Sequence, residues 1–418
     1  MRQVQGPMED FKALLQSWWP VRGLRNIFCT YLCLPAPPVL ETSDMGDIER
    51  GCDGESPGCV TWSAQASPGN SSGTSVEPPN GFVSPALSLI TLDDEISQAL
   101  TFDLYGRALN VKSRVYMLPA DDAEFARQDR LHDLIEELGS ADCEDELEEA
   151  LRETPGVQKA VLDIGHGSGR WMLDVALKYS HVDVVGIDLV PPPVTCKDGR
   201  CPSIGLHYIH PTCRHMPSNC RTEVDDVNSE MHHFENSFNV VHARFVAAGI
   251  TDYRRLIDTM TRMLLPGGVI DIMEAELVIY DAKMRPIPTS RSALARWLTL
   301  VVTVIRQLGG EPDAAAHLAE WVALHEDYEQ VAVHEWWVQT SPWSLGRDME
   351  SQRRNAHGIG MRDNLLALLF SARPMLLHAG VSELLLAFME GEARAELLAA
   401  EKPSYIRLLR AQACKVTL

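Results

Sequence analysis

A glycine-rich segment between two acidic residues is the part of this sequence most suited to chemistry. The run Asp163-Ile-Gly-His-Gly-Ser-Gly169 follows the apolar residues 160–162, and Asp188 comes nineteen residues after Gly169. This order predicts a strand, a glycine turn, a helix and a second strand that ends in a carboxylate. In a doubly wound α/β sheet, such a unit forms a nucleoside pocket at the carboxyl ends of the strands. Glycine lets the backbone approach a ligand closely, and the helix N-terminus presents free N–H groups to its anionic part.

The spacing of the glycines indicates which nucleoside is expected. A dinucleotide-binding turn reads G-x-G-x-x-G, whereas Gly165, Gly167 and Gly169 follow G-x-G-x-G, with Asp163 two residues before the first glycine. This variant resembles the turn of class I S-adenosylmethionine (SAM) methyltransferases. In such a site Asp163 is available to the ammonium group of SAM, directly or through water, and Asp188 would accept both ribose hydroxyls.

Further segments predict the strands that complete the site. Residues 221–228 read as a third strand that ends in an acid. In a SAM fold Asp226 accepts a hydrogen bond from the adenine amino group, and the N–H of Val227 reaches the adenine ring. Acids therefore fall at the ends of the first three strands. Burial of a strand does not by itself require an acid at its end. The next predicted elements are a strand at Phe238–Arg244, a helix from Asp252 to Leu265 and a fifth strand at Val269–Glu274.

Six segments carry a resemblance to one family: Tyr105–Arg107, Tyr116–Asp121, Asp163–Trp171, Asp225–Asn228, Phe238–Arg244 and Leu265–Gly268. They resemble fungal methyltransferase-domain proteins of the type that includes the velvet-complex regulator of secondary metabolism. The resemblance implies an α/β, Rossmann-like class I methyltransferase fold. Its doubly wound, mostly parallel sheet has seven strands, a helical N-terminal cap and helical C-terminal segments that cover the substrate. His166 and Asn239 stand where the family commonly has other residues, but neither removes a contact made by the backbone.

SAM is the predicted cofactor, and His242 is the candidate catalytic residue. A hydroxyl or acid acceptor must lose a proton, and histidine is a natural base for that step. The alternative is that His242 holds the turn after the fourth strand. Arg170 and Arg244 could bind a carboxylate or form surface ion pairs. The candidate cofactor-binding residues are Tyr116, Asp163, Gly165, Gly167, Gly169, Asp188, Leu189, Asp226 and Val227.

The composition limits the classes of function. The chain has 37 Lys and Arg against 58 Asp and Glu, a formal net charge of −21, so as a whole it repels nucleic-acid backbones and anionic membranes. No apolar run approaches the length of a bilayer span. The apolar stretch at 27–34 does not resemble a signal peptide, because its leader is long and contains Glu9 and Asp10. We therefore expect an intracellular protein of the cytoplasm or nucleus, with no nucleic-acid partner.

A cysteine-rich segment lies between the predicted second and third strands. Thiolate and imidazole are preferred zinc ligands, but the spacings match no standard zinc finger or ribbon. Insertions at this place in a sheet are usually inert surface loops. An insertion with free thiols is the favoured interpretation, a metal site is the alternative, and no metal-binding residue is assigned. The residues concerned are Cys196, Cys201, His207, His210, Cys213, His215 and Cys220.

The chain divides into three predicted parts. Residues 1–84 predict a disordered or weakly structured acidic tail and linker. Residues 85–155 predict a helical cap, with helices at 92–100 and 121–138. Residues 156–418 predict the methyltransferase domain. Its helical insertions are expected at about 283–330 and 345–402, and its last two strands at 331–338 and 404–414.

Three functions fit the sequence. The first is a SAM-dependent methyltransferase that acts on a small molecule, an O-methyl acceptor of specialised metabolism. The second is a SAM-binding regulatory protein of secondary metabolism that acts through a protein partner. The third is a SAM-binding module without catalysis. A closed apolar cavity above the sulfonium would indicate a small-molecule acceptor, whereas an open groove would indicate a protein.

Overall fold

The computed structural model describes residues 60–62, 99–139, 145–192 and 216–417. In these ranges the strands are β1 (Val60–Trp62), β2 (Thr101–Leu104), β3 (Arg107–Asn110), β4 (Lys159–Ile164), β5 (Val182–Asp188), β6 (Cys220–Val224), β7 (Phe238–Arg244), β8 (Leu264–Tyr280), β9 (Tyr328–Gln339) and β10 (Tyr405–Lys415). The helices are α1 (Asp122–Glu137), α2 (Asp145–Leu151), α3 (Arg170–Lys178), α4 (Tyr253–Met263), α5 (Ala293–Gln307), α6 (Ala314–Ala323), α7 (Met349–Ser371), α8 (Arg373–His378) and α9 (Glu383–Ala399).

The main sheet has the strand order β1-β6-β5-β4-β7-β8-β10-β9. Strands β6, β5, β4, β7 and β8 run parallel to one another, and β10 runs antiparallel between β8 and β9. These strands confirm the predicted doubly wound, mostly parallel sheet of seven strands. The chain proceeds outward from β4 to β6 and then crosses back to β7. Strand order therefore reverses between β4 and β7, and ligands of such sheets bind outside the carboxyl ends of the strands at this point.

The middle residues of β4 and β7 are apolar because both faces of the sheet are covered. Leu162 and Val241 belong to one core, which also contains residues of α4 and α6. Their chain neighbours Val161 and Val240 belong to a second core, with residues of α2 and α3. Successive side chains of a strand point to opposite faces of the sheet. The middle of a strand between two cores is therefore apolar on both faces.

Two helices begin where the sequence supplies a capping side chain. The carboxylate of Asp252 accepts a hydrogen bond from the N–H of Arg255 at the start of α4. The hydroxyl of Ser292 accepts one from the N–H of Ala295 at the start of α5. Such caps satisfy N–H groups that have no partner within the helix. The cap at Asp252 explains why the predicted and observed starts of α4 agree.

The N-terminal segment differs from the prediction that residues 85–155 are all helical. Helix α1 is present as expected, but β2 and β3 form an antiparallel hairpin before it. Tyr105 and Gly106 make its two-residue loop with positive φ angles of 54° and 77°. Such loops match the twist of the flanking strands, and glycine adopts this conformation readily. The Tyr-Gly pair was the signal for a hairpin in the sequence.

Other differences concern the edges and lengths of elements. Strand β1 lies within the predicted tail and pairs with β6, with Thr61 opposite Glu223. Strand β8 begins at Leu264 rather than Val269. The rest of the tail, most of the predicted helix at 92–100 and the cysteine-rich segment from 193 to 215 lie outside the described residues. Within the described residues, no group of His, Cys, Asp and Glu is arranged to hold a metal ion. No helix in this part of the chain is long and apolar enough to cross a membrane.

Candidate functional site

The carboxyl ends of β4, β5 and β7 and the residues after β6 border one cavity of about 240 Å³. Helices α1, α5 and α7 complete its wall. Eight of the nine predicted cofactor-binding residues line the cavity, and so does His242. These eight are Tyr116, Asp163, Gly165, Gly167, Asp188, Leu189, Asp226 and Val227.

Gly169 is the predicted residue that does not line this cavity. It precedes α3 with a φ of 74°, in the left-handed region that favours glycine. Its neighbours are the side chains of Met172 and Pro192. Gly169 therefore has a turn-forming role, and its ligand contact stays a prediction.

Three N–H groups of the glycine turn are hydrogen-bonded within the protein. The N–H of Gly165 donates to the carbonyl of Ile187 at 2.8 Å, and the N–H of Gly167 donates to Asp188 at 2.8 Å. The N–H of Ser168 donates to the side-chain oxygen of Gln128 at 2.8 Å. These three donors are therefore engaged by the protein, whereas the N-terminus of α3 has no side-chain cap.

Asp188 is held rigidly at the end of β5. One carboxylate oxygen accepts from the N–H of Gly167, and the other accepts from the N–H of Leu189 at 2.7 Å. A carboxylate has about four acceptor sites, so these two hydrogen bonds and a longer one of 3.4 Å from the N–H of Val190 leave capacity for a hydroxyl of a ligand. This arrangement fits the ribose of SAM.

Tyr116 and Asp226 border the cavity on the same side as Asp188. Burial raises the pKa of Tyr116 above its usual range, and the neighbouring charges of Glu124 and Asp188 add to this effect. The hydroxyl therefore stays protonated and is a hydrogen-bond donor. One oxygen of Asp226 accepts from the N–H and the amide of Asn228 at 3.0 and 2.8 Å, which orients this carboxylate beyond β6.

Asp163, His242 and Trp171 form a buried group at the ends of β4 and β7. Asp163 and His242 are 2% and 4% exposed, and Nδ1 of His242 lies 2.8 Å from Oδ1 of Asp163. An ionised carboxylate only accepts hydrogen bonds, so Nδ1 carries the proton and Nε2 of the neutral ring is a proton acceptor. The indole of Trp171 stacks on the imidazole at 3.6 Å with an angle of 9° between the rings. The stacking and the hydrogen bond fix the orientation of His242.

Arg244 lies two residues beyond His242 on β7 and borders the same cavity. Its guanidinium donates to Nδ1 of His132 at 2.9 Å, while Nε2 of His132 lies 2.9 Å from Asp174. Asp174 also pairs with Arg170 at 3.0 Å. Arg170, the other arginine considered in the sequence, is thus engaged in an ion pair, whereas Arg244 contacts a neutral acceptor.

Three residues that line the cavity were not predicted from the sequence: Gln128, His132 and Glu274. Gln128 and His132 are polar residues four positions apart on α1, on the same face as the buried Ile135. Polar residues on the buried face of an amphipathic helix were the available signal. Glu274 was seen only as the last residue of a predicted strand.

Glu274 holds the turn that follows β7. Its Oε1 accepts hydrogen bonds from the N–H groups of Val246 and Ala247 at 2.8 and 3.0 Å and from the hydroxyl of Tyr253 at 2.8 Å. Burial raises the pKa of Glu274 to about 7, although these hydrogen bonds oppose the shift. The cavity wall therefore contains a carboxyl group that titrates near neutral pH.

The far end of the cavity is mainly apolar. It is lined by side chains from α5, α7, β8 and β10. The apolar residues concerned are Leu277, Val301, Ile305, Met361, Leu365, Leu368, Ile406 and Leu408.

The sheet order, the glycine turn and the acids at the strand ends define a class I methyltransferase with SAM as its cofactor. Residues 130–304 match the family model described as a methyltransferase domain. The chain is 36% identical over 310 residues to the secondary metabolism regulator laeA of Coprinopsis cinerea, covering 73% of this chain and 71% of that protein. The chain belongs to the family of fungal methyltransferase-domain proteins that includes this regulator.

Other proteins are similar over shorter or more divergent regions. Methyltransferase pytC of Aspergillus terreus is 29% identical over 231 residues, 54% of this chain and 62% of that protein. Among solved structures, the phosphoethanolamine N-methyltransferase 2 of Haemonchus contortus is similar over 65% of this chain and 52% of that one, with 15% identity and a TM-score of 0.35.

Proposed function

We propose that this protein transfers the methyl group of SAM to an oxygen atom of a small-molecule acceptor. The observation that carries the proposal is that one cavity is lined both by acids, among them Asp188 and Asp226, and by apolar side chains of α5, α7, β8 and β10. In this arrangement Asp226 and Val227 bind adenine and Asp188 binds the ribose. Gly165 allows the close approach of the methionine part, and Asp163 attracts its ammonium group.

The residues that line the cavity orient the reactants. When bound, SAM supplies a methyl group that is already activated by its sulfonium. The protein then has to position the acceptor in line with that methyl group and exclude water. The apolar wall around Leu365 and Leu408 favours an apolar acceptor. A polar acceptor would lose its hydrogen bonds to water there, and these side chains could not replace them.

His242 is the proposed base. The imidazole carries its own proton on Nδ1, which is directed at Asp163. Nε2 would then take the proton of the acceptor hydroxyl as the oxygen–carbon bond forms and the bond between sulfur and the methyl group breaks. Asp163 stabilises the imidazolium that results. Trp171 keeps the ring plane fixed by stacking.

A second candidate function is regulation of secondary metabolism through a protein partner. The 36% identity to a protein named as a regulator over most of this chain favours it. The apolar lining from α5, α7, β8 and β10 supports the small-molecule acceptor more directly.

The two functions are distinguished by where transferred label appears. A fungal cell extract is separated into a small-molecule fraction and a protein fraction. Purified protein is incubated with methyl-labelled SAM and these fractions. The Asp188→Ala variant serves as the matched control. We expect label in the small-molecule fraction with the parent protein and little with the variant.

Label in extract proteins, without label in small molecules, would contradict the small-molecule proposal and favour the regulatory one. Failure of the parent protein to bind SAM in calorimetry would contradict both.

A further inference from the structure

Arg244 carries a positive charge that no carboxylate of the described residues matches at ion-pair distance. Three arginines line the cavity. Arg127 pairs with Glu124, and Arg170 pairs with Asp174 and with Asp133. Arg244 differs from both, because its hydrogen-bond partner within the described part of the chain is an imidazole nitrogen.

That imidazole does not neutralise Arg244. Asp174 lies against Nε2 of His132, so the proton of the ring is on Nε2 and Nδ1 accepts from the guanidinium. His132 is thus neutral in this arrangement. A guanidinium has five N–H groups in a planar fork, and the contact with His132 uses one of its nitrogens.

Two carboxylates near Arg244 have other partners. Asp163 is hydrogen-bonded to His242, and Asp271 forms a two-point ion pair with Arg410 at 2.7 and 2.8 Å. Burial lowers the pKa of Arg244 below its usual range, while Asp163 and Glu136 partly oppose this effect and Arg410 adds to it. The guanidinium remains charged, since arginine does not deprotonate in proteins.

We propose that Arg244 binds a carboxylate group of a ligand in the cavity. This inference rests on the proposed function and adds an anionic group to the chemistry of the site. The fork of a guanidinium matches a carboxylate in two parallel hydrogen bonds. The N–H groups of Gly165, Gly167 and Ser168 already donate to protein atoms. They do not compete with Arg244 for a carboxylate of the ligand. The carboxylate belongs either to the methionine part of SAM or to an acidic acceptor.

The test compares ligands with and without a carboxylate on the full-length protein and on Arg244→Met. One arm measures the binding of SAM and of 5′-deoxy-5′-methylthioadenosine, which lacks the amino-acid part. The other arm, with S-adenosylhomocysteine present at saturation, measures the binding of octanoate and of octan-1-ol. We expect Arg244→Met to weaken one carboxylate ligand by about 10- to 100-fold, the range of hydrogen bonds to a charged group. Methylthioadenosine and octanol should be unaffected.

A loss for SAM places the carboxylate on the cofactor, and a loss for octanoate alone places it on the acceptor. Arg244→Lys keeps the charge without the planar fork and should show a smaller loss. This second variant decides the matter if Arg244→Met does not fold.

The inference is overturned if neither carboxylate ligand loses affinity in the folded variants, including the case in which octanoate does not bind the parent protein. Failure of the parent to bind methylthioadenosine would instead count against the proposed cofactor site.

Discussion

Asp188 supports the glycine turn as well as the proposed ligand. It accepts hydrogen bonds from the N–H groups of Gly167, Leu189 and Val190, so its removal leaves three backbone donors without this partner. We expect Asp188→Ala to weaken SAM binding by roughly 1.5–3 kcal/mol, the scale of hydrogen bonds to a charged acceptor. Calorimetry with SAM measures this change.

Asp188→Asn separates the two roles of this residue. The amide keeps an acceptor for the turn but loses the charge, so it should restore the free energy of unfolding more than the affinity for SAM. Unchanged affinity in a folded Asp188→Ala protein would remove this residue from the site.

His242 is tested by a substitution that keeps a polar side chain of similar reach. His242→Gln should retain SAM binding and slow methyl transfer by roughly 10²–10⁴-fold, the range for lost general-base assistance. Single-turnover rates with saturating SAM measure the effect. The control is Trp171→Phe, which keeps an aromatic ring beside His242 and should have a smaller effect on the rate.

A His242→Gln protein with the parent rate would remove the histidine from the mechanism. Loss of stability together with loss of SAM binding would mean that His242 serves the fold at the end of β7.

Among the elements, helix α1 contributes side-chain contacts to the site in addition to covering it. Gln128 binds the glycine turn, and His132 binds Asp174 and Arg244, so one helix contacts three parts of the methyltransferase sheet region. We expect removal of residues 1–138 to abolish SAM binding, because these contacts disappear together. Removal of residues 1–84 should leave the affinity within about threefold, since terminal segments contribute little to a packed site. Normal SAM binding by the longer truncation would contradict this role of α1.

The turn between β4 and α3 tolerates no large side chain at its centre. Gly167 has a φ of 54°, and a Cβ atom there would meet the side-chain amide of Gln128. Gly167→Val should therefore reduce SAM binding more than Asp188→Ala, because the strained backbone and the collision both displace the turn. The matched variant is Gly156→Val, at a positive φ of 75° with open space around it. Equal SAM affinity in the two glycine variants would show that the collision is unimportant.

The stability of the whole molecule should depend on Glu274. The pKa of this carboxyl is about 7 in the folded chain, above its ordinary value of 4.5. Its neutral form therefore favours folding below about pH 4.5, and this contribution is lost as the pH rises through 7. Relative to Glu274→Gln, whose amide oxygen accepts the same hydrogen bonds, the parent protein should lose roughly 3 kcal/mol between pH 4 and pH 8. Denaturant unfolding at the two pH values measures the difference, and parallel pH profiles of the two proteins would refute it.

At the scale of the whole molecule, the order of the central strands and the positions of Asp163, Asp188 and Asp226 were predictable from the sequence. Apolar runs, the glycine spacing and the acids at strand ends are local features, and a strand between two cores leaves a clear local pattern. The hairpin before α1 was not predicted, because four-residue strands carry little periodicity. The domain limits, including the end of the tail near residue 84, remain predictions.

Only the tertiary structure decided which side chains meet. His242 contacts Asp163 across 79 residues, and Arg244 contacts His132 across 112. The sequence indicated both His242 and Arg244 as candidates but left their roles open between ligand binding and structure. Partners of this kind depend on which strands lie side by side and on how a distant helix packs over them. These are consequences of burying the apolar faces of all elements at once, and no single segment encodes them.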